Sequence, residues 1–314
     1  MEQSNPRSLE VIVKNVGQGN CIIVKFPRDD DPMNDQIMLV DCGSTAFTNP
    51  LKASTRPKTP QIKKSSSRFR FSEVMPTSIS SKEEGGDREA IIESIREEIG
   101  NFIHTVVITH PDRDHYGWIK EVLQRKTWSN LVLGGLPEKY METNLKALLE
   151  GQRKREEKVY FTAIEGEPNF TKIPQGKYSK APPQYNGEVQ SLENAFNFGE
   201  RYKVQVLAIN SNHVQSLDGE KIIHMSLTED GEADHNTDSI VIKITDKIAG
   251  KSILLTGDAT GITTTRLMDY AWYTKQPDLL KADVLVASHH GSSSHGTNND
   301  AWIQSVKLSQ DMLL

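Results

Sequence analysis

Thr109-His110-Pro111-Asp112-Arg113-Asp114-His115 is the stretch from which the rest of the chain can be read. Two imidazoles and two carboxylates fall within six residues, directly after the apolar β-branched run Val106-Val107-Ile108. Such a run predicts a buried strand, which would deliver the four side chains to a loop at its end. Neutral imidazole with carboxylate is a ligand set that suits zinc, manganese or iron. The spacing points to a metal-dependent hydrolase, provided that other segments supply the remaining ligands.

Two segments repeat the design of an apolar strand running into polar ligands. Ser252 to Thr256 leads into Gly257-Asp258, and Asp283 to Ala287 leads into Ser288-His289-His290-Gly291-Ser292. In a sheet-based fold, strand ends on one edge converge, so the three segments can build one site. Asp258 is then suited to bridge two metals. Gly257 and Gly291 are expected to let backbone approach where a Cβ would clash. His289 and His290 are neighbours and should point apart, so one of them is expected to ligate. A single loop His or Asp is usually a surface residue; three strand ends of one design are harder to explain that way.

The flanking sequence predicts a sheet interrupted by two insertions. Leu9 to Lys14, Cys21 to Phe26 and Ile37 to Val40 read as short strands joined by turns, with Gly17 and Gly19 as turn glycines. Asp87 to Gly100 reads as a helix, with an Asp cap, Ile91, Ile92, Ile95 and Ile99 on one face, and a terminal Gly. Tyr116 to Gln124 and Lys139 to Leu149 look helical, and Asn130 to Leu133 looks like a strand. Val204 to Ile209 is another strand. Ser239 to Thr245 and Ser252 to Thr256 form a hairpin around Asp246 to Gly250. Ile262 to Tyr270 and Asn299 to Val306 carry helical patterns. The whole, residues 1–314, is expected to be a single domain with insertions at about 45–86 and 151–199. The first is rich in Ser and Lys, and Lys52 to Arg70 carries seven basic residues and no acidic one. That composition favours disorder or a long mobile loop, with an arm gripping a phosphate backbone as the functional alternative.

Bulk properties narrow the class. A net charge of −5 offers no global electrostatic case for nucleic-acid binding, so any such case is local. Two cysteines, Cys21 and Cys42, each within an apolar segment, read as buried thiols and exclude a disulfide framework. No stretch approaches eighteen apolar residues and Met1 to Glu10 has no apolar signal core, so the expectation is a soluble, cytoplasmic protein without membrane contact. A mean hydropathy of −0.52 fits a real core diluted by polar insertions.

Five motifs together resemble the metallo-β-lactamase fold, and within it the ComEC/Rec2-like metallohydrolase branch. They are Val16-Gly17-Gln18-Gly19-Asn20, Leu39-Val40-Asp41-Cys42-Gly43, the His110 to His115 loop, Leu255-Thr256-Gly257-Asp258 and Ser288-His289-His290-Gly291-Ser292. The resemblance implies an α+β, four-layer αββα sandwich with a dinuclear site. It assigns His110 and Asp112 to the first metal, Asp114 and His115 to the second, Asp258 as the bridge, and His289 as completing the second site. The wider fold has a histidine where Asp112 stands, whereas the ComEC/Rec2-like branch has a carboxylate. That exchange hardens the site, so two divalent ions of either Zn2+ or Mn2+ suit it. The fold also takes a histidine spaced as His235 is before Ser239-Ile240-Val241; the branch often has an Asn-rich turn there, which Asn236 equally fits. His213 and His224 lack this context, and His295, in a Ser- and Gly-rich stretch, ranks last. Family members continue through a further strand and helix after the position of His290. The C-terminal part is therefore expected to be truncated, naturally short, or completed by a protein partner.

The mechanism this implies is hydrolysis by a hydroxide bridging two metals, with Asp114 orienting the nucleophile and either His290 or a metal-bound water protonating the leaving group. The expected substrate is a phosphodiester, DNA or RNA included, which makes the protein a phosphodiesterase or nuclease. The fold alone does not choose a substrate. A hydrolase of small esters, thioesters or lactones is the alternative enzyme, and a non-catalytic regulatory or interaction module with a structural metal site is the alternative from another class.

Overall fold

In the computed structural model, the residues described are 7–28, 31, 34–45, 67–70, 88–135, 139–140, 145–146, 158–161, 195–209, 213–215, 222–224 and 234–306. They form a mixed α/β structure with two mixed sheets and few helices. The chain divides into two compact units. The first is Met1–Val106 with Arg113–Ser129, and the second is Val107–Asp112 with Asn130–Leu314.

The first unit opens with the three expected strands, β1 (Glu10–Val13), β2 (Cys21–Phe26) and β3 (Gln36–Cys42). They pair antiparallel, β1 with β2 and β2 with β3. Within the first insertion, β4 (Ser67–Arg70) adds antiparallel to the other side of β1. The rest of residues 46–86, including most of the basic run, lies outside the described residues. Helix α1 (Arg88–Glu98) buries Ile92 and Ile95, with Ile99 just beyond it, on the predicted face. The expected cap, Asp87, lies outside the described residues. Lys25 Nζ reaches Glu98 at 2.6 Å and Lys14 Nζ donates to Ser94 Oγ at 2.8 Å, so a half-buried cation on β2 and a buried one after β1 anchor this helix.

Strand β5 (Phe102–Ile108) is the β-branched run, and the chain passes from the first unit to the second between Val106 and Val107. The predicted loop after it is partly helical. Arg113–Tyr116 forms the single turn α2, so Asp114 and His115 ride on a helix instead of a loop. The helix expected over Tyr116 to Gln124 breaks at Gly117-Trp118 and resumes as α3 (Ile119–Val122). Its predicted core side chains, Trp118, Ile119, Val122 and Leu123, are all buried. Strand β6 (Thr127–Leu133) follows, and in the second unit its residues Asn130 to Leu133 pair in parallel with β7 (Lys158–Phe161). Most of the helix expected over Lys139 to Leu149, and most of the second insertion, lie outside the described residues.

The second unit also holds a four-stranded sheet ordered β13-β12-β11-β8. Strands β8 (Tyr202–Ala208), β11 (Val241–Asp246) and β12 (Lys251–Leu255) are antiparallel neighbours, and β13 (Val284–Val286) joins β12 in parallel. A separate hairpin pairs β9 (His213–Gln215) with β10 (Ile222–His224). The β11–β12 turn forms around Asp246, whose side chain is fully buried. Its Oδ1 accepts from the amides of Ile248 and Ala249 at 3.0 and 3.1 Å. Arg201 grips it with two donors at 3.2 and 2.8 Å. Burial alone would raise the Asp246 pKa, but Arg201 and the amides outweigh it and hold the carboxyl below its ordinary value. Helices α4 (Gly261–Tyr273) and α5 (Asp300–Val306) pack Leu267 and Trp302 into an apolar cluster with Leu207, Val241, Leu254 and Leu285. Among the described residues, no helix is long and apolar enough to cross a membrane.

Candidate metal centre

In the first unit the candidate residues stand beside a β-bulge. Cys21 faces Cys42 across β2 and β3, but the next pair is Ile22 with Val40, so Asp41 is the extra residue of the bulge. Asp41 takes φ 56°, a left-handed conformation uncommon outside glycine. The bulge turns its carboxylate inward. Oδ2 lies 2.8 Å from Nδ1 of His115, with both side chains fully buried, and also accepts from Asn20 Nδ2 at 3.2 Å. A carboxylate can only accept, so Nδ1 carries the proton and the ring's lone pair is on Nε2, the atom a metal takes. The segment carrying His115 is fixed by backbone. Asn20 N donates to Asp114 O at 3.1 Å and Trp118 N to Cys42 O at 2.9 Å. Gly43 makes this approach feasible, because a Cβ there would stand 2.7 Å from Arg113 O. Both thiols are buried and free, as expected; burial, then Cys21 itself, pushes the Cys42 thiol well above its ordinary pKa.

In the second unit, His110 is fully buried at the end of β5. Its Nδ1 lies 3.1 Å from Thr109 Oγ1 and 3.3 Å from Ser239 Oγ, and Ser239 Oγ accepts from Asp258 N at 3.1 Å. Ser239 thus links two of the expected ligands through one hydroxyl. Asp112 Oδ2 is 3.5 Å from His110 Nε2. Asp258 is buried, and both neighbouring histidines address it: His289 Nε2 lies 3.9 Å and His290 Nε2 3.6 Å from its Oδ2. The expectation that the two rings point apart is therefore corrected. Their reason for converging is the backbone, since His289, His290 and Gly291 take φ values of 50°, 54° and 79° in succession. This left-handed run curls both rings to one side. The loop is braced from within by Asn298, which receives Ser288 N and donates to the carbonyls of Ser288 and Ser292.

Gly257 behaves as predicted, because a Cβ on it would stand 2.8 Å from Thr109 Oγ1 and its φ is +52°. Gly291 does not, since a Cβ on it would meet nothing within 4 Å; its requirement is the positive φ of 79°. His235 opens a one-turn 3-10 helix, His235–Asp238, tied to α4 where Thr237 meets Thr260 at 2.9 Å and Thr263 Oγ1 donates to Thr237 O at 3.1 Å. Its Nδ1 is buried with no hydrogen-bond partner among the described residues. Burial lowers its pKa, opposed by the charges of Asp112 and Asp238, and burial likewise lowers that of His289 against the pull of Asp258.

These donors fit a divalent cation. Two ligand atoms on one metal at about 2.1 Å stand roughly 3.0–3.5 Å apart. The His110–Asp112 and His290–Asp258 separations of 3.5 and 3.6 Å are close to that, and too long for good hydrogen bonds. Side chains able to join metal-binding groups are His110, Asp258 and His290 in the second unit and Asp114 and His115 in the first. Asp41, Asn20 and Ser239 are the residues that ligand spacing alone did not single out. Asp41 and Asn20 lay inside the motifs that carried the resemblance, and Ser239 closed the His235 pattern, so each was visible without a role.

No protein-family model matches the chain, and no curated protein matches it significantly. Among solved structures, unliganded yeast PDE1 matches at 12% identity over 95% of this chain and 83% of that one, with a TM-score of 0.43. A mutant of the CmlA beta-hydroxylase matches at 13% identity over 91% of this chain and 36% of that one, with a TM-score of 0.35.

Proposed function

We propose that the protein is a metal-dependent hydrolase of the metallo-β-lactamase type, with a four-layer αββα architecture and a dinuclear centre. The observation that carries this reading is the convergence of His289 and His290 on Asp258, joined through Ser239 to His110. A buried carboxylate with imidazole nitrogens set at near-ligand spacing around it has little structural use without a cation between them. The residues proposed as metal ligands are His110, Asp112, His235, Asp258 and His289 in the second unit and, in the first, Asp114 and His115.

The two divalent cations, Zn2+ or Mn2+, would supply Lewis acidity and an ionised water at neutral pH. The chain's own residues do the rest. Asp41 holds the His115 ring in one tautomer. Asp114 orients the attacking water, and His290, which is left out of the ligand set, hands a proton from Nε2 to the leaving oxygen. The substrate proposed is a phosphodiester, DNA or RNA included, held by the basic Lys52–Arg70 segment.

The test is metal analysis of the purified protein with hydrolysis of bis-p-nitrophenyl phosphate by the wild type and by Asp114→Ala and Asp258→Asn. Two equivalents of metal, with activity lost in both variants, support the reading. A folded wild type that takes up no divalent metal ends it.

A further inference from the structure

Asp234 lies outside every ligand set considered above, yet its side chain is only 6% exposed and meets two different segments. Its Oδ1 accepts from Asn236 N at 3.1 Å, which starts the turn that carries His235. Its Oδ2 lies 3.3 Å from Nδ1 of His295, 61 residues further along the chain. His295 is held at φ 53°, and its ring centroid is 5.5 Å from that of His289. Ser294, just before it, places its Oγ 3.3 Å from His289 Nδ1.

We propose that Asp234 and His295 form a clasp that positions His235 and His289 for a divalent cation, a role resting on the metal-dependent reading above. Neither residue is a ligand. The carboxylate fixes the start of the His235 turn with one oxygen and the His295 loop with the other, so displacement of either segment is felt by both. Loose segments would have to be ordered when metal binds, and the clasp removes that cost in advance. A contact to a side chain as exposed as His295, at 47%, contributes little to folding, so its effect falls on geometry more than on stability. Outer-shell partners of metal ligands typically change metal affinity by about 10–100-fold, which sets the scale expected here.

The test is titration of the full-length protein with Co2+, read by its visible absorption bands, alongside competition for Zn2+ against a chromophoric chelator. His295→Ala and Asp234→Asn should each weaken Co2+ binding by about 10–100-fold and alter the band pattern. The double variant should be no weaker than the worse single, and His295→Asn, which keeps a donor facing Asp234, should recover most of the loss. Should His295→Ala fail to fold, Asp234→Asn against His295→Asn carries the comparison. Wild-type affinity and spectrum in the folded variants, or losses that multiply in the double variant, would overturn the clasp while leaving the metal centre standing. A wild type that takes up no Co2+ overturns both.

Discussion

His115 Nδ1 stands 2.8 Å from Asp41 Oδ2, and neither side chain reaches solvent. Asp41→Ala would leave a buried imidazole N–H without its acceptor. Such an orphan costs about 1–3 kcal/mol, so urea unfolding should show a loss in that range. Asp41→Asn preserves the shape but not the charge, and should mainly weaken metal uptake, by about 10–100-fold in a chelator competition.

Gly257→Ala should be among the more damaging small substitutions. It adds a methyl 2.8 Å from Thr109 Oγ1 at a residue whose φ is +52°. Steric overlap and left-handed strain together predict a loss of about 2–4 kcal/mol in chemical denaturation. Gly291→Ala faces open space and should cost only the strain, about 1 kcal/mol.

Arg201→Ala should destabilise the β11–β12 hairpin by about 1.5–3 kcal/mol, the range for charge-assisted hydrogen bonds, since Asp246 keeps its two amide donors. The sign of the pH effect follows from the depressed pKa of Asp246. Its contribution is complete above the unfolded carboxyl pKa, about 3.9, and fades as pH falls through the lower folded value. Asp246→Asn should therefore lose stability at neutral pH and show a flatter acid limb.

His235 and His289 give a second pH dependence. Burial lowers both pKa values, so the unfolded chain binds protons more readily than the folded one. Their contribution is full above the unfolded value of about 6.5 and declines as pH drops toward the lower folded values. Metal uptake should fall over the same window, because ligation needs neutral imidazole. Thermal melts and Co2+ titrations between neutral and mildly acidic pH check both.

Trp302→Ala in α5 should cost about 3–5 kcal/mol, because the indole is fully buried in the cluster with Leu254 and Leu285.

Strands and apolar helix faces were legible because burial imposes a period. Val106 to Ile108, the β11–β12 hairpin and the isoleucines of α1 all follow from that rule. The break in Tyr116 to Gln124 was not, because Trp118 N is drawn off to Cys42 O, a contact 76 residues away in sequence. The inward turn of Asp41 depends on a one-residue register slip, which no local pattern records. The joint approach of His289 and His290 to Asp258 depends on three left-handed residues, of which only Gly291 advertises that conformation.

Those three residues also bear on when the loop acquires its shape. A run of positive φ values is disfavoured in an unfolded chain, at about 1–2 kcal/mol for each non-glycine member. The segment from Ser288 to Asn298 therefore gains order only after Asn298 can reach back to Ser288 and Ser292. Amide exchange there should be faster than in β11 and β12 and should slow sharply when metal is added, a local record of occupancy that needs no substrate.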